Sequence, residues 1–157
     1  MLPPKFFGRR QGRTIHKTKN FLLEHFLPRL LLNRNQPIDL PACFGTPKQR
    51  YCLEIGFGDG EHLAALAKAN PQTGFIGIEV YKNGVANLLN ILTGIREGNE
   101  CPADGTVELA QGRVDNVRVF DDDARLLFDQ LSDGVFDKIY LLFLSFHPYM
   151  LLFQNMP

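Results

Sequence analysis

Two carboxylates and a glycine loop are the residues here best suited to hold a charged nucleoside. Gly56-Phe57-Gly58-Asp59-Gly60 follows the short apolar run Tyr51-Cys52-Leu53-Glu54-Ile55. Glycines permit a sharp turn and let a ligand approach the backbone. A dinucleotide fingerprint requires G-x-G-x-x-G, whose last position is filled here by Glu61. Glu54 lies inside the apolar run, where a carboxylate needs a partner. A cationic group of a ligand would supply one, and so would a buried hydrogen bond that supports the loop. Glu79 closes a second apolar run, Phe75-Ile76-Gly77-Ile78-Glu79-Val80. A carboxylate there can accept from both hydroxyls of a ribose, at about 1.5–3 kcal/mol for each charged-acceptor bond. Enzymes of NAD use the same device, so Glu79 indicates a nucleoside without saying which; a solvated strand end is the bland reading. Asp121-Asp122-Asp123 follows a third run. One of these side chains, Asp123 or a neighbour in the run, can accept from an adenine amino group, but carboxylates also suit a helix N-terminus before Ala124.

These residues need a scaffold that brings strand ends together. Tyr51–Ile55, Phe75–Val80, Val117–Phe120 and Asp137–Phe143 read as strands; Glu61–Asn70, Asn83–Arg96 and Ala124–Leu131 read as helices. Strands alternating with helices predict an α/β fold with a parallel sheet and right-handed crossovers. In such a sheet ligands bind beyond the carboxyl ends of the strands, where the glycine loop, Glu79 and Asp123 all fall. The G-x-G-x-G spacing fits a loop that holds S-adenosylmethionine. Upstream, apolar residues from Lys17 to Asn33 recur at helical spacing, with Pro28 expected to kink or split the helix. Residues 34–49, with Pro37, Pro41, Gly45 and Pro47, read as a linker. The expected division is therefore 1–33, a basic arm and helix; 34–49, a linker; 50–143, a partial domain; and 144–157, a divergent tail.

Composition narrows the class. Hydrophobic residues make up 45% and charged residues 22% of the 157-residue chain, which suits one folded domain. The formal net charge is zero, yet Lys5, Arg9, Arg10, Arg13, Lys17 and Lys19 all precede the first acidic residue, Glu24. A basic arm ahead of a more acidic body points toward a polyanionic partner. Cys43, Cys52 and Cys101 form no CxxC pair, so no zinc site is expected and the thiols suit a reducing compartment. No apolar run approaches the length of a membrane span, and the basic start lacks the apolar core of a secretory signal.

Leu53-Glu54-Ile55-Gly56-Phe57-Gly58-Asp59-Gly60-Glu61, Gly77-Ile78-Glu79-Val80, and Asn116-Val117-Arg118-Val119 leading to Asp123-Ala124 resemble the bacterial tRNA (guanine-N7-)-methyltransferases. The arm from Phe6 to Arg13 is similar to the one that precedes the catalytic domain in alphaproteobacterial-type members. The likeness runs from about Phe6 to Phe143. It implies a Rossmann-like class I methyltransferase fold, incomplete, with about four parallel strands in the order three-two-one-four and flanking helices. It implies methyl transfer from S-adenosylmethionine to N7 of guanine 46 of tRNA, in the cytoplasm. Glu54, Glu79 and Asp123 match the family's cofactor contacts, with Gly56, Gly58 and Gly60 forming the loop. Arg9, Arg10, Arg13 and Lys17 are the expected tRNA contacts. In the family the fourth strand runs into Pro-Asp-Pro-Trp and a basic cluster; that aspartate is regarded as catalytic. Here the chain reads Leu144-Ser145-Phe146-His147-Pro148-Tyr149-Met150 and ends at Pro157. The expectation is a truncated or frameshifted product after Phe143, without a catalytic residue or turnover. A non-catalytic nucleotide- or RNA-binding domain, or a methyltransferase for another substrate, are the alternatives.

Overall fold

The computed structural model describes residue 10, residues 12–107 and residues 114–142. Its centre is a four-stranded sheet of β1 (Arg50–Ile55), β2 (Thr73–Ile78), β3 (Val117–Phe120) and β4 (Lys138–Leu141). The order is β3-β2-β1-β4, and every pairing is parallel. The α/β fold and the expected strand order both hold. Each crossover uses a helix: α3 (Glu61–Ala69) links β1 to β2, α4 (Lys82–Thr93) precedes β3, and α5 (Ala124–Phe128) precedes β4.

The sheet is apolar on both faces, as a covered parallel sheet must be. On one side Cys52, Phe75, Val117 and Val119 pack with Leu63, Ala67, Leu88, Leu89 and Leu92 of α3 and α4. On the other, Leu53, Ile76, Ile78 and Phe120 meet Leu40 and Phe44 of the upstream segment and Leu127 of α5. Helix α4 ends at Gly94, whose φ of 64° supplies the left-handed cap that stops it. The carbonyls at the end of α3 and the turn after it are gathered by one side chain. The Asn116 amide nitrogen donates to Ala67, Asn70 and Thr73 at 3.1, 3.0 and 2.7 Å.

Upstream, α1 (Lys17–His25) stops short of Pro28, and Leu27–Arg29 continues as a single 3-10 turn. Pro28 thus splits the helical run as expected. The following residues do something the periodicity does not announce. The Leu32 amide donates to the Val119 carbonyl at 3.0 Å and the Val119 amide donates to the Leu30 carbonyl at 2.9 Å. Leu30–Leu32 therefore lies along β3 and covers that edge. The stretch read as a linker also holds a four-residue helix, α2 (Leu40–Cys43). The opposite edge, β4, pairs with β1 on one side, and Ile139 and Leu141 are each 51% exposed. The strand expected over Asp137–Phe143 forms as Lys138–Leu141; Phe143 and the tail at 144–157 lie outside the described residues.

Candidate functional site

The carboxyl ends of β1, β2 and β3 meet at one rim of the sheet. Gly56, Gly58 and Gly60 all take positive φ, 73°, 56° and 79°, which explains why these three positions of the loop carry glycine. A Cβ on Gly60 would come 2.7 Å from the Leu88 Cβ, whereas one on Gly58 would project into open space. The loop is thus tight against α4 on one side and open at Gly58.

Glu79 lies one residue past β2 and ties the corner together. One carboxylate oxygen accepts from the Gly58 amide at 2.7 Å; the other accepts from the Tyr81 amide at 2.9 Å. Each oxygen keeps further acceptor capacity. Glu54, on β1, is fully buried. Its Oε2 faces His62 Nδ1 at 2.9 Å, and its Oε1 has no partner among the described residues. Burial pushes the Glu54 carboxyl above the usual carboxylate range, and the His62 hydrogen bond pulls it partly back.

The three aspartates after β3 are engaged differently. Asp123 caps α5 by accepting from the Arg125 amide at 3.0 Å, and also takes the Arg125 Nε at 2.9 Å. The hydrogen bonds from Arg125 hold its carboxyl below the usual range, against the opposing effect of burial. Asp122 accepts from Arg10 at 3.1 Å and from Arg34 at 2.8 Å, and Arg34 also pairs with Asp121. Burial resists ionisation of Asp122, but the Asp123 amide and the two guanidiniums outweigh it and lower its pKa. Of the two readings of this acidic run, the helix-cap role is directly visible for Asp123.

The arm crosses the same rim. The Lys82 amide donates to the Arg10 carbonyl at 3.0 Å, the Gly12 amide donates to Asn83 Oδ1 at 3.0 Å, and Asn83 Nδ2 donates to the Arg13 carbonyl at 2.8 Å. A cavity of about 580 Å³ lies beneath, bordered by Arg10, Leu23, Glu24, Val80, Lys82 and Asp121. Arg13 and Lys17 are exposed; Arg10 is exposed and paired with Asp122; Arg9 lies outside the described residues.

Three contributors escaped the sequence reading. His62 carries no local signal, since it stands at an ordinary helix position. Gly84 lies in the first turn of α4, and a Cβ there would come 2.2 Å from the Gly58 carbonyl oxygen. Its signal was available, since glycine within a helix costs about 1 kcal/mol relative to alanine and so asks for a packing reason. Asn83, which fastens the arm, carried no sequence signal. Among the described residues no His, Cys, Asp or Glu group is arranged to hold a metal ion, and no helix is long and apolar enough to cross a membrane. Cys43, Cys52 and Cys101 are unpaired thiols, and burial raises the first two.

A parallel sheet with a glycine turn after its first strand and a carboxylate after its second is shared by dinucleotide-binding enzymes and methyltransferases. The sequence profile of a family described as "Putative methyltransferase" matches residues 48–148, and the chain belongs to that family. Among its relatives are two named tRNA (guanine-N(7)-)-methyltransferase. That of Paramagnetospirillum magneticum is 39% identical over 143 residues, covering 89% of this chain and 53% of the relative. That of Nitrobacter hamburgensis is 48% identical over 96 residues, covering 60% of this chain and 38% of the relative. A solved antibiotic-related methyltransferase aligns at 21% identity and a TM-score of 0.46, over 83% of this chain and 49% of that one. The chain spans about half the length of the curated relatives it matches.

Proposed function

We propose that this chain carries the S-adenosylmethionine site of a tRNA guanine-N7 methyltransferase. The observation that supports it best is the pairing of an open glycine loop with carboxylates at the ends of two adjacent strands. The residues suit such a ligand. Gly58 leaves space for backbone approach, and a fully buried carboxylate oxygen without a partner, Glu54 Oε1, suits a cationic amino-acid end. Glu79 would hold the ribose while keeping its backbone bonds, since a carboxylate offers about four acceptor sites. Asp123 is proposed for the adenine end, with the acceptor capacity that Arg125 leaves. When bound, S-adenosylmethionine supplies a sulfonium-activated methyl group.

The acceptor atom, guanine N7, is an exposed lone pair on the base edge and carries no proton. The protein's task is therefore to hold N7 in line with the methyl group rather than to supply a base. Arg9, Arg10, Arg13 and Lys17 are proposed to bind tRNA phosphates, which position the RNA without reading its sequence. The arm's attachment at Lys82 and Asn83 favours this role, because it fixes the backbone of Arg10 and Arg13 at the rim where the ligand would lie. Ligand binding is the direct test of this site. A melting-temperature series with S-adenosylmethionine, NAD and no ligand should show stabilisation by S-adenosylmethionine alone. Stabilisation by NAD alone would overturn the proposal in favour of a dinucleotide-binding domain.

A further inference from the structure

His62 sits in the first turn of α3 with its side chain 45% exposed, yet its Nδ1 is 2.9 Å from a carboxylate that is completely buried. The ring is also packed edge-on against Tyr140 of β4, with centroids 5.4 Å apart. Tyr140 is in turn the β4 residue in register with Glu54 on β1. Three elements therefore fix one imidazole, and the imidazole fixes one carboxylate.

The arrangement differs from an ordinary buried polar contact. Asn116, also buried, directs its amide nitrogen at three carbonyls. Glu54 has one oxygen on His62 and the other without a partner among the described residues. A buried polar atom left so is costly unless something outside the fold completes it. His62 is the charged or titratable group that faces Glu54, and without its hydrogen bond burial alone would act on the carboxyl.

From this geometry we infer that His62 is a positioning residue for the amino-acid end of the ligand. It holds Glu54 turned so that Oε1 receives the ligand's α-ammonium group. The inference rests on the proposed S-adenosylmethionine site. It adds a residue that touches no ligand atom itself and acts through Glu54.

The test uses two ligands that share the thionucleoside and differ in the amino-acid portion, S-adenosylhomocysteine and 5′-methylthioadenosine. Affinities are measured by calorimetry on the 157-residue chain and on His62→Ala, His62→Gln and Glu54→Ala. The expected result is a loss of about tenfold for S-adenosylhomocysteine in His62→Ala, the worth of one charged hydrogen bond. Affinity for 5′-methylthioadenosine should be unchanged. His62→Gln, which retains a donor, should recover part of the loss. Equal weakening of both ligands in His62→Ala would mark a merely structural residue and overturn the inference. So would an unchanged affinity for both while Glu54→Ala loses S-adenosylhomocysteine selectively, and in that case the proposed site would stand. If the unaltered chain binds neither ligand, or Glu54→Ala binds both as well as the unaltered chain does, the site proposal itself falls and the inference with it.

Discussion

The first and third strands of this sheet both end among carboxylates, and the two corners use them in different ways. After β3, Asp121, Asp122 and Asp123 are taken up by the protein: Arg34 and Arg10 pair with the first two, and the third caps α5 and binds Arg125. On β1, Glu54 is more deeply buried than any of them and still leaves one oxygen without a partner. Glu79 after β2 is intermediate, with both oxygens on backbone amides of the surrounding loops. A run of acidic residues is conspicuous in a sequence, but here it mainly stabilises a helix start and anchors the arm. The lone glutamate in an apolar strand is less conspicuous and has more capacity for a ligand.

The contrast can be broken most sharply at Gly84, where α4 meets the β1 corner. Gly84→Val places a side chain where even a Cβ would be 2.2 Å from the Gly58 carbonyl oxygen. Overpacking of this kind costs about 1–3 kcal/mol, to be read from urea denaturation, and the displaced loop should bind S-adenosylhomocysteine more weakly. At the β3 corner, Asp123→Ala removes the cap of α5 and should cost about 1 kcal/mol of stability. Its effect on ligand affinity should be smaller than that of Glu79→Ala. Equal effects would erase the distinction between the corners.

The two corners also respond to pH with opposite signs. Glu54 has a raised pKa when folded, so the stability it contributes is full below its unfolded value and is lost as pH rises through the raised one. Asp122 and Asp123 have lowered pKa values, so their contribution is present above the unfolded value and is lost as pH falls through the folded one. Glu54→Gln should therefore stabilise the free protein at neutral pH, by up to about 1 kcal/mol, while removing affinity for the amino-acid end of the ligand. Thermal unfolding between acid and neutral pH checks both signs. The smallest expected effect is on the arm. Replacing Arg13 or Lys17 with alanine should reduce the slope of log tRNA affinity against log salt by about 0.7–0.9. The same change at Arg10 should also remove one of the two guanidiniums paired with Asp122.

Much of this fold was legible because local signals agreed. The glycine loop, the alternation of apolar runs with helical periodicity, and Pro28 each marked an element that forms. Val117–Phe120 was bounded correctly because a short β-branched and aromatic run lies between polar residues. Two things were hidden. The pairing of Leu30–Leu32 with β3 joins residues far apart in sequence, and its apolar pattern continues that of the preceding helix. The His62–Glu54 contact spans eight residues across a turn; the apolar run shows that Glu54 needs a partner, but not that His62 supplies it.

The central claim is that the ends of β1 and β2 form one binding site for S-adenosylmethionine. Calorimetric titration of the chain with S-adenosylhomocysteine, repeated on Glu79→Ala, tests it most directly. A single binding event is expected in the unaltered chain. In the variant the affinity should weaken by about 1–3 kcal/mol, the worth of hydrogen bonds from ribose hydroxyls to a carboxylate. Binding that is absent from the unaltered chain, or equal in Glu79→Ala, would contradict it.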